Sequence, residues 1–297
     1  MKHALILIAA LLAGFLAPAG AQLPQRESII WVAPIGFSPY TIAEGPEKGQ
    51  GIIDKATEII VKRLPGMDYE FMPASTLRLF ELIKAKPNVC TGVALRNAER
   101  EQFFEFTSNA VVKILPNGII TTRSNAAALK PYINDGGELR LDAVLAEGKH
   151  RLAVSKRIRT YGPRIDAMLE TPAFQNSIVR LDETGMASRL MKLAIQRGQA
   201  EYDMIIGYPV ELKSKLAELK VDEKDFSFIP IAGETALVSL PVSCSKSPLG
   251  KQYVAAVDKL LAEPAFQRQM GQLYRHWLDA ETAARYEKLL RREAGAR

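Results

Sequence analysis

The sequence predicts an α/β protein with two doubly wound domains. The chain has 297 residues, of which 47% are hydrophobic, so it is long enough to bury two modest cores. Short apolar runs rich in β-branched residues alternate with segments whose apolar residues follow the helical period. This alternation is typical of mostly parallel sheets covered by helices. Residues 28–112 fit the order strand, loop, helix, strand, helix, strand, which is one half of such a domain.

Residues 1–21 indicate a secretory signal peptide. Lys2 and His3 precede an apolar run from Ala4 to Leu16, and Ala19-Gly20-Ala21 provides a small-residue cleavage site. The apolar run is too short to span a bilayer. We therefore expect cleavage after Ala21 and export to the periplasm.

The composition argues against several classes of function. The formal net charge of +6 is spread along the chain without a block of Lys and Arg, which gives little support to nucleic acid binding. Two cysteines and, after the leader, only His150 and His276 disfavour a zinc site. The motifs G-x-S-x-G, H-E-x-x-H and G-x-G-x-x-G are missing. The sequence thus predicts no catalytic residues, no metal and no cofactor.

Two strands and two helices are predicted before residue 88. They are a strand at Ser28–Pro34, a helix at Ile52–Leu64, a strand at Tyr69–Met72 and a helix from a cap at Ser75 or Thr76 to Lys84. Asp54 lies in the first turn of its helix, where it is a partner of the helix dipole. After the first strand comes a turn with two aromatic residues, Phe37 and Tyr40. Their side chains either line a ligand cleft or pack beneath the sheet as part of the core.

The stretch from Asn88 to Ser108 carries the strongest functional signal. A buried strand is predicted from Val89 to Leu95, followed by a polar turn that contains Arg100. The carboxyl ends of parallel strands open onto a crevice, where α/β proteins bind ligands. A guanidinium there can hold a carboxylate through two parallel hydrogen bonds. The alternative is a surface arginine paired with Glu99 or Glu101.

A second anion site is predicted in the other half of the chain. The strand Lys149–Val154 runs into a polar turn with Arg157 and Thr160, and a helix starts near Pro163. Free backbone N–H groups meet the positive end of a helix at such a junction. The alternative is a basic, solvated loop. Residues 124–137 are predicted to be a loop without regular structure.

Cys90 and Cys244 are the two cysteines of the chain. Because the protein is expected in an oxidising compartment, they either form a disulfide or remain as two buried thiols.

The predicted strand with its Gly92, the Glu99–Arg100 pair and the following Phe106–Thr107 resemble the core of the family 3 extracellular solute-binding proteins. These are the periplasmic receptors of polar amino acid uptake systems. The resemblance implies two α/β domains joined by two hinge crossings, the type 2 periplasmic binding protein fold. The implied first domain combines residues 28–114 and 241–297, and the second comprises residues 115–240. A ligand would lie in the cleft between them.

The resemblance also implies a set of ligand-binding residues. Arg100 would hold the ligand's carboxylate, and the set also includes Phe37, Tyr40, Thr91, Gly92, Ala94, Arg157, Thr160 and Tyr208. Tyr208 is a departure, because in amino acid receptors this position is acidic and holds the ligand's ammonium group. A tyrosine hydroxyl stays uncharged at pH 7. A carboxylate without an amine, a peptide fragment or a ring that stacks on Tyr208 is therefore an equal alternative.

These features predict a periplasmic solute-binding protein that is not an enzyme. Its partners would be a small, carboxylate-bearing ligand and either the membrane permease of an ABC-type uptake system or a sensor kinase. The first rival is a periplasmic enzyme on the same scaffold, such as a dehydratase acting on a small carboxylic acid. It would need a carboxylate of raised pKa beside Arg100. The second rival is an orphan receptor domain that binds a protein partner through a cleft filled by its own side chains.

Overall fold

The structure is a computed structural model that describes residues 27–156, 161–182, 189–190, 192–193, 201–234 and 236–295. The predicted signal peptide, Arg157 and Thr160 lie outside the described residues, so their predicted roles stay predictions.

Within the described ranges, ten strands form two sheets. Their bounds are β1 Ser28–Pro34, β2 Asp68–Ala74, β3 Val89–Thr91, β4 Phe104–Ile114, β5 Gly118–Thr122, β6 Leu152–Ser155, β7 Ile178–Leu181, β8 Met204–Gly207, β9 Phe226–Pro230 and β10 Val238–Ser245. The first sheet has the order β2-β1-β3-β10-β4 and the second has the order β7-β6-β8-β5-β9. We call the sheets, with the helices packed on them, lobe 1 and lobe 2.

The helices that the structure describes connect these strands. Their bounds are α1 Ile52–Arg63, α2 Thr76–Ala85, α3 Arg123–Leu129, α4 Leu141–Glu147, α5 Pro163–Leu169, α6 Pro209–Leu219, α7 Pro248–Leu261, α8 Pro264–His276 and α9 Ala280–Gly295. None of the helices within the described ranges is both long and apolar enough to cross a membrane.

The predicted fold class is confirmed. The chain completes β1 to β4 in lobe 1, crosses to lobe 2 after Ile114, and returns after Pro230 to insert β10 between β3 and β4. The strand β10 runs antiparallel to both neighbours, while β1, β2 and β3 are parallel. The domain boundaries at residues 114/115 and 240/241 stay a prediction.

The start of α1 shows why these residues form a helix. The Oδ2 atom of Asp54 accepts hydrogen bonds from the backbone N–H groups of Ile42, at 2.8 Å, and Gly51, at 3.1 Å. These bonds join the preceding loop to the first helical turn, where a carboxylate is favoured by the helix dipole. Asp54 therefore has the helix-starting role that the sequence predicts.

Two predicted elements were wrong in extent. The strand predicted from Val89 to Leu95 ends at Thr91, because beyond this residue neither β1 nor β10 continues the pairing. The loop predicted at residues 124–137 contains α3. Thr122 caps this helix by accepting a hydrogen bond from Asn125 N, and Leu129 at its end is fully buried, so tertiary packing stabilises a short helix.

A disulfide joins Cys90 of β3 to Cys244 of β10. The two residues are direct neighbours in the antiparallel pair, their Cα atoms are 4.0 Å apart, and both are fully buried. The first of the two sequence alternatives is therefore confirmed. The bond spans 154 positions and thus closes a long loop that includes all of lobe 2. It contributes up to about 5 kcal/mol in the chain-entropy account.

Each lobe has its own core. In lobe 1 the apolar faces of α1, α7 and α8 pack on the sheet, and the terminal helix α9 adds Tyr286 and Leu289 to the same core. Lobe 2 buries residues on both faces of its sheet. One residue of α6, Val210, is completely buried in the core of lobe 1, although Leu212 and Leu216 of that helix belong to lobe 2. Helix α6 thus contacts both lobes.

Candidate functional site

Arg100 lies at the start of a single 3-10 turn that follows the loop after β3. Asn97 Oδ1 accepts a hydrogen bond from Arg100 N at 2.8 Å, which closes the turn. The guanidinium then reaches back, and its Nη1 donates to the carbonyl of Leu95 at 2.8 Å. Among the described residues, the other guanidinium N–H groups have no hydrogen-bond partner. The side chain is therefore held by one bond and retains donors for an anion.

The guanidinium of Arg100 also lies over the ring of Phe80 of α2, with its Cζ atom 5.1 Å from the ring centroid. Phe80 in turn packs edge-on against Phe103, at 6.2 Å, and Phe104, at 5.8 Å. Cation–aromatic contacts of this kind stabilise an arginine while leaving its N–H edge available. The ring of Phe80, itself held by Phe103 and Phe104, thus packs against the face of the Arg100 guanidinium.

Arg100 does not form the surface ion pair of the alternative interpretation. Glu101 pairs instead with Arg96, at 3.3 Å, and Glu99 is exposed. Burial lowers the pKa of Arg100, while the charge of the Glu99 carboxylate acts in the opposite direction. The guanidinium is therefore a partly desolvated cation, which an anion would stabilise.

Two tyrosines from opposite lobes are in contact with each other. Tyr40 comes from the loop after β1 in lobe 1, and Tyr208 directly follows β8 in lobe 2. Their ring centroids are 6.1 Å apart in an edge-to-face arrangement with an interplanar angle of 82°. The structure thus brings together two residues of the predicted ligand set, Tyr40 and Tyr208.

The other predicted residues of lobe 1 occupy different environments. Phe37 is half-buried in the same loop as Tyr40. The side chains of Thr91 and Ala94 are buried, and Gly92 packs so tightly that an added Cβ would lie 2.8 Å from Cγ2 of Ile53. Thr91 Oγ1 has no hydrogen-bond partner within the described part of the chain. A ligand role for these four residues stays a prediction.

Sequence reasoning missed the residues that support Arg100. Phe80 carries no motif, and the carbonyl of Leu95 has no sequence signature at all. The sequence predicts the helix that carries Phe80, but the contact of α2 with the Arg100 turn is a tertiary one. The pairing of Tyr40 with Tyr208 was equally invisible, because it depends on how the lobes approach each other.

Several contacts join the lobes outside the two crossings. Ser38 Oγ and Ser214 Oγ are 2.6 Å apart, and Lys213 Nζ donates to the carbonyl of Leu278 at 3.2 Å. At the terminal helix, Arg285 Nη2 forms an ion pair with Glu138 Oε1 of lobe 2 at 2.9 Å. Both side chains of this pair are mostly buried. The lobes are thus in direct contact along α6 and α9.

A separate cavity of about 750 Å³ lies in lobe 1 between β4, α8 and α9. Four of its charged lining residues form two ion pairs, Lys113 with Glu293 and Arg275 with Glu287. It contains none of the predicted ligand-binding residues. In the described ranges, no group of three or more His, Cys, Asp or Glu side chains is arranged to hold a metal ion.

The fold has solved counterparts. A probable amino-acid ABC transporter extracellular-binding protein from Bacillus subtilis matches over 85% of this chain and 99% of its own, with a TM-score of 0.60 and 16% identity. A histidine kinase sensor domain with similarity to periplasmic binding proteins matches over 86% and 97%, with a TM-score of 0.59 and 15% identity. The VFT2 domain of BvgS from Bordetella pertussis (a double mutant) matches over 84% and 93%, with a TM-score of 0.58 and 16% identity.

These neighbours define the class of fold. The chain has the two-lobed fold of the type 2 periplasmic binding proteins, which is found both in the substrate-binding proteins of amino acid transporters and in sensor domains. At these identities it is a divergent example of that fold. No protein-family model matches the chain, and no curated protein matches it.

Proposed function

We propose that this protein is an exported, periplasmic solute-binding protein that captures a small carboxylate-bearing solute between its lobes. The observation that carries the proposal is the placement of Arg100. Its guanidinium is partly buried, rests on Phe80 and has donors beyond its bond to Leu95. In the proposed site this cation faces the other lobe and binds an anion that bridges the two lobes.

The physical mechanism is a shift between open and closed forms. Lobe 1 contributes Arg100 and Tyr40, and lobe 2 contributes Tyr208, so a ligand that contacts all three binds the closed form better than the open form. The differential affinity sets the extent of closure. Arg157 and Thr160 would complete the site from lobe 2. The closed form would then be recognised by a membrane permease or by a sensor kinase.

A second candidate is a receptor domain that binds a protein partner. It is favoured by direct contacts between the lobes, since Tyr40 packs on Tyr208 and Ser38 bonds to Ser214. Side chains that already fill part of the cleft leave less room for a solute. In this case the partner would recognise the outer surface of the paired lobes.

A thermal-shift screen of the mature protein distinguishes these functions. The compounds are amino acids, organic acids and muropeptide fragments, tested on wild type and on Arg100→Ala. A ligand at 100 times its dissociation constant stabilises the folded state by roughly 2.7 kcal/mol. We expect a shift that is lost in Arg100→Ala.

Arg78→Ala is the matched control, because Arg78 is an exposed arginine on α2 that pairs with Glu81 in its own helix. It should respond like wild type. No shift with any compound, in a folded protein, would support the protein-partner function. A compound that shifts the protein and is consumed in the assay would instead indicate the enzyme alternative.

A further inference from the structure

The cavity between β4, α8 and the terminal helix α9 lies within lobe 1 and apart from the cleft. We call it the α9 cavity. We propose that it is a second binding site, which takes a small amphiphile with an apolar body and a single anionic group such as a carboxylate. The site is independent of the solute-binding function proposed above, because its lining contains neither Arg100 nor any other residue of the predicted ligand set.

Burial divides the lining of the α9 cavity into an apolar floor and a polar rim. The volume of about 750 Å³ is in the range of small-molecule sites, roughly 300–1,000 Å³. Val112 of β4, Leu261 of α7 and Tyr286 of α9 are at most 1% exposed and form the floor. The rim consists mainly of exposed polar residues, among them Ser108, Asn109, Arg268, Gln272 and Arg275. A ligand that fits this gradient places an apolar part at the floor and a polar group at the rim.

The charged residues of the lining leave one cation without a carboxylate. Lys113 forms an ion pair with Glu293, and Arg275 forms one with Glu287 at 2.8 Å. Arg268 is exposed at the rim and has no ion-pair partner in the part of the chain that the structure describes. A guanidinium can hold a carboxylate through two parallel hydrogen bonds. The charge of the lining therefore favours a ligand with one anionic group.

Gly271 keeps the middle of α8 open towards the cavity. Glycine inside a helix lowers the stability of that helix relative to alanine. An added Cβ would meet, among the described atoms, only the Tyr286 hydroxyl at 3.8 Å, which is an ordinary contact distance. Gly250 of α7 differs, since a Cβ there would collide with the carbonyl oxygen of Ser245. Packing thus requires glycine at position 250 but not at position 271, where its effect is to enlarge the cavity.

Three compounds with the same alkyl chain length test the chemistry of the site. Octanoate, octanol and octylamine carry an anionic, a neutral and a cationic group, and their binding is measured by calorimetric titration and thermal shift. We expect octanoate to bind roughly tenfold or more tightly than octanol, because the apolar part is the same and only the carboxylate pairs with Arg268. Octylamine should bind more weakly than octanol, because its charge is repelled by the guanidinium.

Variants of Arg268 and Gly271 test the two parts of the site. Arg268→Gln should remove the preference for octanoate over octanol. Arg291→Gln is the matched control, because Arg291 is an exposed arginine of α9 outside the cavity lining, and it should bind like wild type. Gly271→Leu should weaken the binding of octanoate and octanol roughly tenfold or more by filling the cavity. Gly271→Ala should raise the melting temperature and weaken binding to a smaller extent, so it serves where Gly271→Leu fails to fold.

Arg100→Ala separates this site from the cleft. Octanoate binding that persists in Arg100→Ala and is weakened in Gly271→Leu supports the α9 cavity. Binding that is lost in Arg100→Ala and unchanged in Gly271→Leu would place octanoate in the cleft, which overturns this inference and leaves the solute-binding function intact. An absence of octanoate binding to wild type, or equal binding of octanoate and octylamine, would also overturn it.

Discussion

The hydroxyl oxygens of Ser38 and Ser214 lie 2.6 Å apart and form a hydrogen bond between the two lobes. Ser38 belongs to the loop after β1, which also carries Tyr40, while Ser214 belongs to α6, which begins directly after Tyr208. The bond therefore lies on the same two segments as the Tyr40–Tyr208 contact, and the lobes are in contact through these segments.

Removing this bond should favour the open form. Ser214→Ala and Ser38→Ala each remove one partner, and a hydrogen bond of this kind contributes about 1 kcal/mol net. We expect a larger radius of gyration in small-angle scattering without ligand, and an interaction energy of similar size in the double-mutant cycle. Ser108→Ala, at an exposed serine of β4, is the control. If the radius of gyration of both single variants equals that of wild type, the bond does not hold the lobes together.

The ion pair between Arg285 and Glu138 joins the terminal helix to lobe 2. Arg285→Glu should break this ion pair and increase the distance between the lobes, because two carboxylates then face each other. The double variant Arg285→Glu with Glu138→Arg should restore wild-type behaviour. Fluorescence transfer between labels on the two lobes reports the change.

A matched pair within lobe 1, Arg275 with Glu287, provides the comparison for that experiment. Arg275→Glu should lower the melting temperature without altering the distance between the labels. A loss of transfer in Arg275→Glu as large as that in Arg285→Glu would show that the terminal helix has no specific effect on the lobes.

Gly92 allows the chain after β3 to approach α1. Gly92→Ala should lower the free energy of unfolding by about 1–3 kcal/mol, because the added Cβ would lie 2.8 Å from Cγ2 of Ile53. Ile53→Ala removes that methyl group and opens space. We expect the alanine at position 92 to cost less in the Ile53→Ala background, as measured by chemical denaturation. Equal costs in both backgrounds would mean that Ile53 is not the obstacle.

Asp54 should give stability a defined dependence on pH. Burial raises the pKa of Asp54, although the N–H groups of Ile42 and Gly51 and the charge of Lys55 act to lower it. The folded state therefore binds this proton more tightly than the unfolded state. The contribution of Asp54 is fully present below its ordinary pKa, near 4, and is lost as pH rises through the raised value.

Asp54→Asn has no carboxyl group to titrate, so its stability should lack the fall that wild type shows as pH rises above about 4. The difference in free energy of unfolding, variant minus wild type, should therefore increase over this range. Glu58→Gln is the control of opposite sign. Hydrogen bonds from Lys62 and Lys55 lower the pKa of Glu58, so its stabilising contribution is lost as pH falls. Denaturation curves between pH 3 and 7 measure both. Parallel curves for wild type and Asp54→Asn would contradict the prediction.

Much of the fold could be predicted from local patterns. The strand β1 was predicted with its observed bounds, and α1 and α2 differ from prediction by one residue at the carboxyl end, because the helical period and caps are local signals. The end of β3 could not be predicted from local signals, because the pairing with β1 and β10 determines where the strand ends. The helix α3 was missed because burial of Leu129 stabilises it.

The sequence by itself determined the α/β class and the polar turn that carries Arg100, whereas it left Cys90 and Cys244 as either a disulfide or two buried thiols until the structure paired them. The class and the turn depend on residue type and spacing along the chain. The tertiary structure alone decided that Phe80 packs under the Arg100 guanidinium. It also decided that Glu101 forms an ion pair with Arg96. The contact between the rings of Tyr40 and Tyr208 is a third feature of this kind. These contacts join segments whose approach depends on helix packing and on the relative placement of two lobes. No periodicity encodes that placement, and so the charge environment of the cleft became visible only in the folded chain.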